Sequence, residues 1–408
     1  MTALETQIRD VLRQDACTGC GLCARLDPGV RMELDDRGYL RPRVEGASTP
    51  IAGAEQIFER SCPGRTVDAP QRPEDATPHR LLGAHLGIWQ AWATNDDIRA
   101  AGSSGGVLTA IHAWLVSQGR AATVTGAAGD PTGPRRTVPV TITTRADALA
   151  AAGSRYAPVG SLDNSDALRA GGIVTGKPCE IAALRRAAPD LIDGEPPLLL
   201  SFFCAGTPSQ HATDRLLEDL GVAADEPVSA LRYRGNGWPG RFSASAPGRT
   251  VSADYDESWG RTLGPTTQWR CKICPDGVGE SADIVCADSW ATDERGYPTF
   301  VEGDGVSALI ARTPRGLAVV QDALAAGVIA ARPLDIEQLA SAQPLQVTRR
   351  RFLFARLAGA RLAGRGTPRY RGFGLFGLTA RAPRTAVRVL MGAYRRVREQ
   401  RRIAGEGR

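Results

Sequence analysis

Three cysteines at a regular spacing of three residues constrain this chain more than any other feature. Cys17, Cys20 and Cys23 stand in the run Cys-Thr-Gly-Cys-Gly-Leu-Cys. Thiolates spaced in this way on a glycine-bearing loop can wrap one face of an iron-sulfur cube. Tetrahedral zinc is the main alternative, but zinc sites usually pair two separate Cys-x-x-Cys units. The run therefore predicts an iron-sulfur cluster.

The fourth ligand of that cluster has to come from elsewhere in the chain. In two-cluster bacterial ferredoxins a fourth cysteine, followed by proline, serves the other cluster, and here Asp27 and Pro28 occupy its place. We therefore predict a one-cluster module whose fourth ligand is Cys62, which is also followed by proline. Asp27 could bind iron in principle, but we interpret it as a surface residue in a turn.

The composition is that of a globular protein, with 42% hydrophobic and 23% charged residues. There is no apolar run of about 18 residues, and residues 1–13 lack the apolar core of a signal peptide. We therefore expect a cytoplasmic protein, in which clustered cysteines indicate metal binding or catalysis rather than disulfides. With four histidines in the chain, a histidine-rich metal site is disfavoured.

Alternating apolar strands and helical patterns predict an α/β fold, or α+β over the whole chain. We expect a ferredoxin-like iron-sulfur module over residues 1–80, an α/β core over 81–345 and a basic helical tail over 346–408. The strands are expected at 121–126, 172–176, 198–204, 282–287 and 306–312. The helices are expected at 106–117, 181–188 and 207–220, with two arginine-rich helices after Arg350.

Positive charge is concentrated at the end of the chain. Residues 349–408 carry 17 arginines against two acids, whereas the net charge of the chain is +6. Such a segment suits an anionic membrane surface, which would make the protein peripheral at the inner membrane. The alternatives are a solvated, partly disordered tail and a helix pair packed on the core. No nucleic acid partner is expected, because the tail contains no recognised binding module.

The other five cysteines are less informative by spacing. Cys271 and Cys274 form a Cys-x-x-Cys pair, for which zinc, thiol redox chemistry and an iron-sulfur cluster are equally good interpretations. Cys179, Cys204 and Cys286 stand alone in the sequence.

Six motifs follow one another along the chain, namely residues 103–108 (Ser-Ser-Gly-Gly-Val-Leu), 176–185 (Gly-Lys-Pro-Cys-Glu-Ile-Ala-Ala-Leu-Arg), 203–206 (Phe-Cys-Ala-Gly), 233–240 (Tyr-Arg-Gly-Asn-Gly-Trp-Pro-Gly), 271–276 (Cys-Lys-Ile-Cys-Pro-Asp) and 280–284 (Glu-Ser-Ala-Asp-Ile). In this order they resemble the coenzyme F420 hydrogenase/dehydrogenase beta-subunit family, whose members include divinyl chlorophyllide reductases and 7-hydroxymethyl chlorophyll a reductase.

This resemblance implies a second 4Fe-4S cluster and an FAD, so that electrons pass from an outer donor to the flavin. The implied ligands of the second cluster are Cys179, Cys204, Cys271 and Cys274. The family usually continues Ala-Asp-Ile with a small residue and Gly-Asp, whereas this chain continues with Val-Cys-Ala-Asp up to Asp288. We interpret the additional thiol, Cys286, as a buried strand residue without a redox role.

The resemblance also implies a flavin site in two segments. Two glycines after Ser103 and Ser104 would let a phosphate approach backbone N–H groups, although a serine N-cap explains the serines equally well. In the second segment Arg155 could pair with a pyrophosphate and Tyr156 could stack nearby. Lys177 would place a positive charge beside the flavin or cluster, unless it is an exposed turn residue. The predicted set is Ser103, Ser104, Gly105, Gly106, Ser154, Arg155, Tyr156 and Lys177.

Together these features predict an iron-sulfur flavoprotein oxidoreductase that relays electrons through two 4Fe-4S clusters to FAD and an organic substrate. The substrate could be coenzyme F420, a tetrapyrrole or another metabolite, and ferredoxin or coenzyme F420 could be the redox partner. No catalytic residue is identified, because no hydrolytic triad, Walker loop or paired carboxylates occur. Two other classes remain open, an electron-transfer subunit without its own substrate site and a zinc-stabilised binding protein.

Overall fold

The computed structural model describes residues 2–293, residue 299 and residues 301–406. In these ranges the strands are β1 (Val30–Leu34), β2 (Leu40–Val44), β3 (Thr66–Asp68), β4 (Gly87–Ala93), β5 (Val124–Gly129), β6 (Thr137–Ile142), β7 (Ile173–Gly176), β8 (Leu198–Phe202), β9 (Ala230–Arg232), β10 (Phe242–Ala246), β11 (Arg249–Ala253), β12 (Ile284–Asp288), β13 (Ser307–Ala311), β14 (Ile329–Pro333) and β15 (Arg369–Arg371).

The α-helices are α1 (Ala3–Arg13), α2 (Leu22–Leu26), α3 (Ala54–Ser61), α4 (Asp96–Ala101), α5 (Val107–Ser117), α6 (Arg145–Ala150), α7 (Pro178–Leu191), α8 (Gln210–Asp219), α9 (Trp269–Lys272), α10 (Pro314–Ala325), α11 (Ile336–Ser341), α12 (Pro344–Arg351), α13 (Leu353–Leu362), α14 (Leu375–Ala380) and α15 (Pro383–Glu406). Residues Asp256–Leu263 form a π-helix, and short 3₁₀ turns cover Ser161–Asp163, Ser165–Leu168 and Gly264–Thr266.

An eight-stranded mixed sheet forms the centre of the molecule, in the order β14-β4-β13-β12-β8-β7-β5-β6. The four neighbours β12, β8, β7 and β5 run parallel, and the outer pairings are antiparallel. The inner strands are continuous apolar runs such as Leu-Leu-Leu in β8, as expected for strands that are covered on both faces. The α/β class predicted from the sequence is therefore confirmed.

The first 80 residues pack directly on this sheet. Leu4, Ile8 and Phe58 belong to the same apolar cluster as Val174 and Leu199, which are buried residues of β7 and β8. The stretch 70–79 contains no helix or strand. The division of the chain at residue 80 stays a prediction.

Asp27 lies in a turn, as expected, but it is fully buried rather than on the surface. Its carboxylate accepts hydrogen bonds from the N–H groups of Gly29 (2.8 Å) and Thr49 (3.1 Å) and from the Ser48 hydroxyl (2.5 Å). These three donors compensate the burial of the carboxylate and hold the loop closed. The interpretation of Asp27 as a surface residue was therefore wrong.

The arginine-rich tail is ordered into helices within the described residues. Leu353, Leu357 and Ala360 of α13 share an apolar cluster with Val397 of α15 and Trp269 of the core. The disordered-tail alternative is therefore wrong, and the alternative of helices packed on the core describes the fold. Among the described helices, none is both long and apolar enough to cross a membrane.

Candidate functional site

A cavity of about 400 Å³ opens at the carboxyl ends of β7, β8 and β12. Ligands commonly bind at this edge of a parallel sheet, because the loops that follow the strands diverge and leave a crevice. Much of its wall comes from residues 102–104, 106–109, 153–157, 202–207 and 342–346. Apart from Gly105, which lies just behind the wall, every residue predicted for the flavin lines this cavity.

The first group of predicted ligands lies near Ser161 of the cavity wall, since the next residue, Leu162, donates its N–H to the Cys20 carbonyl at 3.1 Å. Cys17, Cys20, Cys23 and Cys62 line a second, small apolar recess together with residues of α1, α2 and α3. Burial raises the pKa of Cys20 to about 11 and also raises the pKa of the other three. Four cysteines around one recess match the number of thiolates that a single 4Fe-4S cluster requires.

The second group of predicted ligands converges beside the cavity. Cys179 stands in the first turn of α7 because Pro178, at the first helical position, starts the helix directly after β7. Burial raises the pKa of Cys204 to about 12, and charge on Cys271 and Cys274 acts in the same direction. Cys204 itself lines the cavity. The structure thus brings together cysteines from three segments that are far apart in sequence.

Cys204 and Thr207 lie outside the elements predicted for them. The expected strand 198–204 ends at Phe202, since the Cys204 N–H donates to the Gly277 carbonyl (2.8 Å) instead of to a strand. The expected helix 207–220 begins later, because Ser209 caps it and the Thr207 N–H donates to Cys271 Sγ (3.3 Å). The turn after β8 therefore forms part of the surroundings of the second cysteine group.

Arg270 lies between the two cysteine groups. It is 1% exposed, and its guanidinium donates two hydrogen bonds, of 3.1 and 2.9 Å, to the carbonyl of Pro63, the residue after Cys62. Its next residue in the chain, Cys271, belongs to the other group. A buried cation in this position offsets negative charge on thiolates of both groups.

Lys177 is buried, so the exposed-turn alternative is wrong. Its Nζ lies 2.5 Å from Oε1 of Glu180, which also accepts the Ser161 N–H at 3.0 Å. Burial alone would lower the pKa of Lys177, but the Glu180 carboxylate and the Cys179 thiol raise it. The lysine therefore keeps its charge next to both the cavity and the second cysteine group.

The glycine-rich loop before α5 contains no serine N-cap, so that alternative explanation of the two serines is wrong. Helix α5 begins after Gly106, whose φ of +71° is left-handed, and no side chain caps it. The Ser103 hydroxyl bonds instead to the Ser154 hydroxyl at 2.7 Å, which joins the two predicted flavin segments. A Cβ on Gly105 would lie 2.5 Å from the Ala91 carbonyl oxygen, so this glycine allows the loop to approach β4.

Arg155 is engaged by the protein rather than directed at a ligand. It donates to the backbone carbonyls of Leu231 (2.7 Å) and Arg136 (3.0 Å) and to the Thr137 hydroxyl (3.1 Å). Its guanidinium also lies over the ring of Tyr233, 5.0 Å from the centroid. These contacts favour a role in fixing the segment that carries Ser154 and Tyr156 over pairing with a pyrophosphate.

Two family profiles match consecutive parts of the chain. Residues 88–164 match the N-terminal part, and residues 172–337 the C-terminal part, of the coenzyme F420 hydrogenase/dehydrogenase beta subunit. The chain belongs to this family. Because hydrogenases and dehydrogenases are redox enzymes, family membership identifies the chain as an oxidoreductase.

One curated protein and one solved structure show what the chain is similar to. The coenzyme F420 hydrogenase subunit beta of Methanothermobacter thermautotrophicus is 25% identical over 268 residues, which cover 62% of this chain and 87% of that protein. A chain in the structure of the xenon-derivatised F420-reducing NiFe hydrogenase complex from Methanosarcina barkeri has a TM-score of 0.52 at 20% identity. That alignment covers 71% of this chain and 98% of the other, and it shows a shared fold.

Sequence reasoning missed several residues that line the cavity of this family member. They include Arg234, whose guanidinium lies over the rings of Tyr255 and Trp290, and Trp259, which packs on Tyr156. Only the motif at 233–240 drew attention to any of them. His112 was discounted with the other histidines, yet it lines the cavity, and its Nε2 lies 2.7 Å from the Thr175 hydroxyl. Burial lowers the pKa of His112 to about 4, so this imidazole is neutral at physiological pH.

Across the described residues, no three or more His, Cys, Asp or Glu side chains are grouped as they would be around a single metal ion.

Proposed function

We propose that this chain is an iron-sulfur flavoprotein oxidoreductase with two 4Fe-4S clusters and FAD. One ligand set is Cys17, Cys20, Cys23 and Cys62, and the other is Cys179, Cys204, Cys271 and Cys274. The flavin would occupy the cavity. When bound, the clusters would supply one-electron transfer and the flavin two-electron chemistry with an organic substrate such as coenzyme F420.

One observation carries this proposal, namely the arrangement of the two cysteine groups relative to the cavity. Eight of nine cysteines form two sets of four that adjoin across Arg270, and the second set reaches the cavity through Cys204. The Leu162 N–H donates to the Cys20 carbonyl at 3.1 Å, and the preceding Ser161 binds Glu180, beside Cys179. Redox centres in these places would form a continuous series that leads to the cavity. Isolated thiols or a single zinc site would not need such an arrangement.

The cavity residues fit a flavin by their chemistry. The hydroxyls of Ser103 and Ser154 and the backbone around Gly106 provide polar contacts for a phosphate chain. Tyr156 and Trp259, whose ring centroids are 4.8 Å apart, provide an aromatic surface for a planar ring. The charged Lys177 would favour an anionic ligand, and Arg155 would hold the second segment in place.

Anaerobic purification followed by cofactor analysis tests the proposal. We expect about eight irons and eight acid-labile sulfides per chain, about one FAD, and two distinguishable cluster signals in the EPR spectrum of the reduced protein. A preparation with stoichiometric zinc, or with four irons, would contradict the two-cluster assignment. Reduction of coenzyme F420 by the reduced protein would then identify the substrate, with a chlorophyllide-type tetrapyrrole as the second candidate.

A second function, an electron-transfer subunit of a larger redox complex, is favoured by the structural neighbour, which is part of a hydrogenase complex. Such a subunit would exchange electrons with a partner protein, ferredoxin being one candidate. Purification of the native chain from its source separates the two, because a subunit would elute with stoichiometric partners and would lack activity alone.

A further inference from the structure

Solvent reaches the first cysteine group at one of its four members. Cys17 is half-buried, whereas Cys20, Cys23 and Cys62 are buried. Electron transfer between two proteins slows steeply as the distance between their redox centres grows. A carrier protein that exchanges electrons with a cluster in this group would therefore dock on the surface around Cys17.

The end of the chain brings arginines to that surface. Gly366 follows α13 and packs on Gln14, three residues before the first cysteine, since a Cβ on this glycine would lie 2.7 Å from Cδ of the glutamine. Arg365 stands next to Gly366 in the chain. Burial lowers the pKa of Arg365, and the nearby charges of Arg37 and Arg401 act in the same direction. Three arginines from distant parts of the sequence therefore lie close together beside the first cysteine group.

Most of the positive charge on this surface is not neutralised by the described side chains. Arg361, Arg365 and Arg401 donate to neutral groups, namely the Thr367 hydroxyl (2.8 Å), the Gln400 amide oxygen (3.0 Å) and the Ala363 carbonyl (2.9 Å). Arg37 is the exception, because Asp15 accepts a hydrogen bond from it at 2.8 Å. The surface therefore attracts negatively charged partners.

An apolar side chain stands among these cations. Leu362, at the end of α13, is 69% exposed. Brief encounters between redox proteins use small interfaces, in which opposite charges steer the partner and a limited apolar contact seats it. The surface lies outside residues 88–164 and 172–337, so it is not part of what the two family profiles describe.

We propose that the surface formed by Arg37, Arg361, Leu362, Arg365 and Arg401 is the docking site of an acidic electron-carrier protein. In each encounter the carrier loses one electron and the first cluster gains it, and no proton or chemical group is transferred. The assignment rests on the proposed function, because it requires a cluster in the first cysteine group. Binding of the carrier can nevertheless be measured without turnover.

Two small electron carriers of opposite charge test the surface. A plant-type ferredoxin is acidic, and cytochrome c is basic. Titration calorimetry with the full-length, cluster-loaded protein at low salt should detect binding of ferredoxin but not of cytochrome c, and the affinity for ferredoxin should fall as salt is added. Iron quantification on the same preparation reports on the cluster, so failure of docking and failure of the proposed function are distinguished.

Charge reversal at two exposed positions locates the contact. The double variant Arg361→Glu, Arg401→Glu should bind ferredoxin about tenfold more weakly, because two attractions become repulsions. Arg365, which lies over the ring of Trp269 at 4.9 Å, is left intact. The double variant Arg361→Lys, Arg401→Lys keeps the charge and should bind as the parent chain does. Arg145→Glu is the matched control, because this exposed arginine begins α6, which packs on the other face of the central sheet.

Several results would overturn the proposal. They are absence of ferredoxin binding at low salt, equal binding of cytochrome c, and unchanged ferredoxin binding in the charge-reversed variant. Vesicles of phosphatidylglycerol and a DNA duplex are the other anionic probes. If the charge-reversed variant loses affinity for either of these and keeps its affinity for ferredoxin, the surface contacts a membrane or nucleic acid instead of a carrier protein.

Discussion

At the scale of single residues, the two ligand sets can be removed one at a time. We expect Cys179→Ser or Cys271→Ser to lose the second cluster and keep the first, and Cys20→Ser to do the reverse, because each cube requires four thiolates. Iron quantification and EPR on anaerobic preparations measure this. Cys286→Ser is the matched control: Cys286 is buried among apolar residues of β12 and its neighbours and should affect neither cluster. Loss of a cluster in Cys286→Ser would show that the ligand assignment is wrong.

His112 should make the protein sensitive to acid. Burial depresses its pKa from 6.5 to about 4. Between these pH values the unfolded chain therefore binds a proton at this residue, whereas the folded chain does not. The free energy of unfolding should therefore fall by up to roughly 3 kcal/mol between pH 6.5 and pH 4 on account of this group alone.

Urea unfolding of the parent chain and of His112→Gln over this pH range measures the effect. The variant should lose less stability on acidification, although it is less stable at neutral pH. His211→Gln, which alters an exposed histidine, is the control variant. Parallel pH profiles for all three would refute the role of His112.

Individual residues also show what a sequence pattern can and cannot predict. The run from Cys17 to Cys23 is local, so its spacing alone indicated one site. In the structure Cys62 lines the same recess as these three cysteines. The environment of Lys177 and the partners of Arg155 depend on side chains that are distant in sequence. Burial of the lysine and engagement of the arginine could not be predicted, because no local pattern carries that information.

At the scale of elements, the first cysteine loop depends on one close contact. Gly21 has a φ of +90°, and a Cβ on it would lie 2.5 Å from the Asp163 backbone nitrogen. We expect Gly21→Ala to destabilise the protein by several kcal/mol and to lower the iron content of the first site, because backbone must move on one side of the contact.

Gly46→Ala separates this packing effect from backbone strain. Gly46 has a similar left-handed φ of +71°, but a Cβ on it would meet nothing within 4 Å. Its substitution should cost about 1 kcal/mol and leave the iron content unchanged. Equal effects of the two substitutions, measured by thermal unfolding and iron assay, would show that the contact with Asp163 is unimportant.

Elements with a regular sequence pattern were predicted well, and elements whose ends are set by loop contacts were predicted poorly. The central strands were found within a few residues, since their apolar runs are continuous. The boundary at 345 was placed inside α12, whose Gln346 and Arg349 donate to the Cys204 carbonyl at 3.1 and 2.8 Å. Because an arginine-rich run resembles a solvated tail, the start of α12 was not recognised as part of the site.

At the scale of the whole molecule, the outer face of α15 is the best remaining candidate for a membrane contact. Val387 and Met391 are 62% and 42% exposed, and the exposed Arg384, Arg388 and Arg395 share their face of the helix. We propose that this face binds anionic lipid, since each arginine near acidic headgroups contributes about 1 kcal/mol.

Flotation with vesicles rich in anionic lipid tests this proposal. The full-length protein should float at low salt and be released by high salt. The double variant Val387→Asp, Met391→Asp should bind at least about tenfold more weakly, because it loses two inserting side chains and adds negative charge. Val301→Asp, another exposed position, is the control. Absence of flotation at low salt would refute the membrane contact.

The short parallel pairing of β15 with β3 joins two segments that the ribosome makes far apart in time. Arg369 to Arg371 complete a ladder beside the loop of Cys62, and the Tyr370 hydroxyl donates to the Ile273 carbonyl between the two cysteines of the Cys-x-x-Cys pair. About three hundred residues separate these strands, which at usual rates of synthesis means a delay of roughly 15 to 60 seconds. The Ile273 carbonyl, next to Cys274, is therefore without this partner until β15 has been made. A chain cut short before Arg369 would also leave β3, which follows Cys62 closely, without its partner strand.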